Sequence, residues 1–131
     1  MIFVGILTAI MVVLALLQLA LTLGAPLGRF SAGGQHRVFP PRLRVLSVVS
    51  ILIYGLIVVI AWDKVGLIDV FPTAFTDIAM WVVFGYLTLG ILMNAISRSK
   101  AERYTMVPVS IVLSVLTFVI AMGWAQVPVL S

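Results

Sequence analysis

Apolar side chains fill this chain in four long runs, separated by three connections richer in charged and turn-forming residues. The first run, Ile2 to Gly24, has no charged residue and as an α-helix would reach about 34 Å. A lipid hydrocarbon core is about 30 Å thick, and about twenty helical residues cross it. The second run extends from Leu43 or Arg44 to Trp62, the third from Ile78 to Ser97 and the fourth from Thr105 to Gln126. Polar residues do not alternate with apolar ones in any of them, which speaks against a transmembrane β-barrel. The pattern predicts an all-α fold, a membrane-embedded four-helix bundle in antiparallel up-down-up-down order. It forms a single transmembrane domain over residues 1–131, with a long loop at residues 25–41. Only Met1 precedes the first run, without Lys or Arg, and the run exceeds the apolar stretch of a signal peptide; it is expected to remain a span.

Composition turns the pattern into a class. Of 131 residues, 63% are hydrophobic and 9% charged, against about 25% charged in a soluble domain. The absence of cysteine excludes disulfides, thiol redox chemistry and cysteine-ligated metals. A pI of about 10.1 raises the question of nucleic acid, but basic residues interleaved with aromatics on a soluble face are missing. No nucleic-acid partner is expected.

The cations are placed asymmetrically. Arg29, Arg37, Arg42 and Arg44 lie around the first connection, and Arg98, Lys100 and Arg103 around the third. The second connection has only Lys64, beside Asp63 and Asp69. The positive-inside rule makes the first and third connections (25–42 and 98–104) cytoplasmic and puts both termini outside. Trp62, Trp81 and Trp124 fall toward the opposite boundary, where indoles settle at headgroup level. Anionic headgroups on the cytoplasmic side are the expected lipid partners of these cations.

Between helices in lipid, small and hydrogen-bonding residues mark the contacts, because leucine gains nothing by leaving hydrocarbon. Such residues recur at three- and four-residue steps. They are Thr8, Met11, Ala15, Gln18 and Thr22 in the first span, and Ser47, Ser50, Tyr54, Ile57 and Ala61 in the second. The fourth span has Ser110, Ser114, Thr117, Ala121 and Trp124; the third, less regular, has Tyr86, Gly90, Asn94 and Ser97. Gln18, Tyr54, Tyr86 and Asn94 are the intramembrane polar candidates. Gln18 and Asn94 either bond one another across the bundle or line a cavity opening inward. In the connections, Pro40 and Pro41 suit a helix start. Thr76 and Asp77 are expected to cap the third span, and Pro108 to sit in the first turn of the fourth. The apolar segment 65–75 is expected to lie in the interface.

Candidate chemistry is sparse. No ionisable group occupies the centre of a span, whereas proton-coupled transport needs one there. Small four-helix multidrug exporters are built around a membrane-embedded glutamate, and the likeness to them ends at size. Asp63 and Asp77 sit near the outer boundary as interfacial groups. One histidine and no cysteine cannot make a zinc or iron site, so no metal, cofactor or catalytic residue is expected. The remaining constellation is cytoplasmic. The first loop offers Gly33, Gly34, His36, Arg37, Arg42 and Arg44, and the second offers Asn94, Ser97, Arg98 and Glu102. Together they would make a basic mouth for a phosphate, carboxylate or anionic lipid, with Glu102 holding Arg42 or Arg98. The plainer reading is that the cations set topology and touch headgroups.

The segments LGAPLGRFSAGGQHRVFPPRLR (23–44) and LMNAISRSKAER (92–103) resemble an uncharacterised family of small bacterial four-span integral membrane proteins. The resemblance implies the span count and a bacterial inner-membrane location, and transfers no functional residue. The leading functional expectation is non-enzymatic: action through helix–helix contacts, as an accessory subunit or self-associating bundle with a homo-oligomeric or membrane-protein partner. Two others are an oligomeric transporter or channel for a small solute or anion, and a protein that binds or modifies anionic lipid headgroups.

Overall fold

The computed structural model describes residues 2–28, 38–97 and 99–123. In them the chain forms four helices: α1 (Ile2–Thr22), α2 (Pro41–Val65), α3 (Thr73–Ala95) and α4 (Lys100–Ala121). All four are long and apolar enough to cross a membrane. Helices are what lipid demands, because each backbone N–H and C=O must find its partner within the segment. Their outward faces carry exposed aliphatics such as Val13, Leu52, Val82 and Val115. In water such a surface would be an aggregation hazard; against acyl chains it is the natural one. This is a multi-pass membrane protein built as an antiparallel bundle.

The helix ends follow local chemistry. Pro41 opens α2 at a position whose N–H would lack a partner anyway. Gly24 after α1 and Gly66 after α2 adopt left-handed φ values of 97° and 93°. Around Gly66, its own N–H reaches the Asp63 carbonyl and the Leu67 N–H reaches that of Trp62, which satisfies carbonyls the helix leaves open. Two expected starts were misplaced. α3 begins at Thr73 after Pro72, with no side-chain cap. Thr76 and Asp77 are therefore inside the helix, and the connection shortens to residues 66–72. α4 begins at Lys100, where the Ser99 hydroxyl accepts from the Glu102 N–H. Pro108 accordingly lies in the helix interior, where it leaves the Tyr104 carbonyl without its i+4 donor.

Packing is closest within the α1–α2 and α3–α4 hairpins; α2 meets α3, and α1 meets α4, more lightly. The Trp62 indole N–H donates to the Thr8 hydroxyl at 2.9 Å, joining α2 to α1. Thr88 and Ser114 hydroxyls meet at 2.7 Å between α3 and α4. Trp81 and Phe84 of α3 pack edge-on and tilted against Phe118 of α4. Trp62 and Trp81 thus serve as interhelical contacts, and Trp124 lies outside the described residues. The small-residue stripes of α1, α2 and α4 face inward, with Ser47, Ser110, Ser114 and Thr117 all buried. In α3 the buried positions are Thr76, Met80, Val83 and Leu87, so Tyr86 stands one position off that stripe and is 54% exposed.

Candidate functional site in the intramembrane cavity

The two halves of the bundle are packed differently. Toward the 66–72 connection, Leu7, Val65, Met80 and Ile120 are each at 0% exposure and close the centre. Toward the other end, α1, α3 and α4 part around a cavity of about 280 Å³, with Tyr54 of α2 in its wall. That space takes roughly nine waters or one small organic molecule.

Four polar side chains singled out from sequence line the cavity: Gln18 of α1, Tyr54 of α2, and Tyr86 and Asn94 of α3; α4 adds Ser110. Gln18 lies in the last turn but one of α1, beside the Tyr54 hydroxyl. Tyr86 approaches Tyr54 from α3. Asn94 donates through Nδ2 to the Ser110 hydroxyl of α4 at 2.7 Å. Gln18 and Asn94 therefore take different partners, and both line the cavity. Between these groups the wall is apolar and compliant, with Met11, Met93 and Met106 among its side chains. A Cβ added at Gly90 would meet no atom within 4 Å, so this stretch of wall is backbone bordering free space. Among the described residues no charged side chain lines the cavity. It offers donors and acceptors without a formal charge, which suits an uncharged ligand with hydrogen-bonding capacity.

The basic mouth is a different matter. Gly33, Gly34, His36, Arg37 and Arg98 lie outside the described residues. Of its other members, Asn94 belongs to the cavity. Arg44 donates from Nε to the Phe39 carbonyl at 2.7 Å, and its guanidinium packs over Gly24 at the end of α1, where a cation complements the helix dipole. Arg103 does the same for the other hairpin, donating to the Ser97 carbonyl at 3.2 Å. Both arginines occupy the fourth position of their helices and tie back the chain that precedes them. The Ser97 hydroxyl accepts from the Ser99 N–H, and Glu102 is buried at the head of α4. Arg42 is exposed.

The acids of the opposite end also have structural roles. Asp63 Oδ2 accepts from the Val70 and Phe71 N–H groups, both at 2.7 Å, and Asp77 is paired with Lys64. Sequence reading missed Ser110 as a site residue, although it stood in the α4 stripe, and missed the Ser99 cap. The signal for that cap was the S-x-x-E spacing of Ser99 and Glu102. No family model, no curated protein and no solved structure matches this chain, so the resemblance of its loop segments goes no further and the cavity stands as the site to be explained.

Proposed function

We propose that this multi-pass membrane protein holds a small uncharged, hydrogen-bonding molecule in its intramembrane cavity, as the binding unit of an oligomeric carrier. The observation behind this reading is the convergence of Gln18, Tyr54, Tyr86 and Asn94, from three helices, with Ser110 of the fourth, on a single cavity. A polar group in hydrocarbon is costly unless it finds a partner, and four lining one cavity are more than packing needs. The closed half makes a fixed pore through one bundle a poor fit; passage requires movement or a partner. In the reading that goes with it, the membrane is the bacterial inner membrane. The Arg42, Arg44, Lys100 and Arg103 end faces the cytoplasm, and both termini face out, as the positive-inside rule favours. Exposed Arg42 and Lys100 then touch anionic headgroups, at about 1 kcal/mol each.

Action through helix contacts alone draws less support, because the stripes that would mediate association are already engaged inside the bundle. Native mass spectrometry of protein released from mild detergent tests the proposal. Wild type is expected to retain an uncharged adduct that the Gln18→Leu, Asn94→Leu double variant loses. An identical adduct pattern in both proteins, or none in either, overturns it.

A further inference from the structure

A second hollow adjoins the first. Between α2 and α3, which meet lightly, runs a groove of about 490 Å³ lined by Ile53, Leu56, Ile60, Phe75, Val82 and their apolar neighbours. Among the described residues its one polar wall residue is Tyr86, which also lines the polar cavity. One side of this residue therefore borders hydrocarbon and the other borders Gln18, Tyr54 and Asn94. From Phe75 to Tyr86 the groove follows twelve residues of α3, eleven steps or about 16 Å at the helical rise. That length matches an extended acyl chain and far exceeds a small solute.

Resting on the cavity as a binding site, we infer that the ligand is a single-chain neutral amphiphile drawn sideways from the bilayer: its chain lies in the α2–α3 groove, its uncharged polar head enters the cavity, and Tyr86 stands at the passage between them. Charge matching supports this occupant. Among the described residues neither hollow is lined by a charged side chain, so a carboxylate or phosphate head would find no charge partner on these walls in a low-dielectric space. A fully apolar chain would leave the cavity's donors and acceptors unused, and a second protein helix has no head to place there. The mixed character of the two hollows, meeting at one tyrosine, fits a hydroxyl- or ester-headed lipid.

The test uses a diazirine-bearing fatty alcohol with the whole protein in nanodiscs, and the same chain ending in a carboxylate for comparison. Cross-links of the alcohol are expected on the groove faces of α2 and α3, with weaker labelling by the carboxylate. Val82→Trp and Leu56→Trp, both at exposed groove positions, should each cut alcohol labelling roughly tenfold, as a loss of about 1.4 kcal/mol would. Asn94→Leu should reduce it as well. If Asn94→Leu abolishes the adduct while both tryptophan variants label normally, the lateral seat is wrong and the cavity reading survives. If only the tryptophan variants matter, the groove is an ordinary lipid contact and the inference fails together with a headgroup role for the cavity. Labels confined to α1 and α4, or equal labelling by alcohol and carboxylate, overturn it too.

Discussion

Gly24 and Ser47 both belong to the junction between α1 and α2, yet substitution should move stability in opposite directions. Gly24 has φ of 97°, and a Cβ there would lie 3.2 Å from the Arg44 guanidinium. Gly24→Ala therefore meets left-handed strain of about 1–2 kcal/mol and also pushes against the arginine that closes the loop. Ser47 is 1% exposed, and its hydroxyl is the one buried side-chain polar atom among the described residues without a hydrogen-bond partner. Leaving such a group unmade costs about 1–3 kcal/mol, so Ser47→Ala should be neutral or stabilising. Thermal unfolding midpoints in one detergent read both signs: Gly24→Ala lowers the midpoint, and Ser47→Ala does not.

Helices and connections obey chemistry that is unevenly visible along the chain. The four runs and the inward stripes of α1, α2 and α4 were legible because charge-free length and three-to-four spacing are the physical requirements themselves. Helix starts were not: apolar counting stops at Ile78 and Thr105, whereas the helices begin among polar residues at Thr73 and Lys100. Gln18, Tyr54, Tyr86 and Asn94 stood out by polarity, but their meeting depends on helix rotation, which one chain's periodicity fixes only loosely. Tyr86 shows the limit, since it lines the cavity from outside the buried stripe of α3. The roles of Arg44 and Arg103 were hidden because a loop-closing arginine and a headgroup-binding arginine look alike in sequence. At this scale the 66–72 connection gives a clear expectation. Asp63 holds two backbone N–H groups there, and hydrogen bonds to a charged acceptor contribute about 1.5–3 kcal/mol. Asp63→Ala should speed amide hydrogen exchange at Val70 and Phe71, whereas breaking the partly exposed Lys64–Asp77 pair with Asp77→Asn should cost less than about 1 kcal/mol.

The whole molecule is solid at one end and hollow at the other. Leu7, Val65, Met80 and Ile120 seal the half next to the 66–72 connection, while the half at the basic end holds the cavity. If binding is the work of this protein, the solid half holds the hairpins in register and the hollow half holds the ligand. The chain has no cysteine, so single-cysteine variants read accessibility without background. The most direct measurement places cysteine at Gly90 in the cavity wall and at Met80 in the seal, and treats right-side-out and inside-out vesicles with a membrane-impermeant thiol reagent. The account predicts that Gly90→Cys reacts from the side of the basic connections alone and that Met80→Cys is protected from both. Protection of Gly90→Cys on both sides, or reaction from the side of the termini, would contradict it.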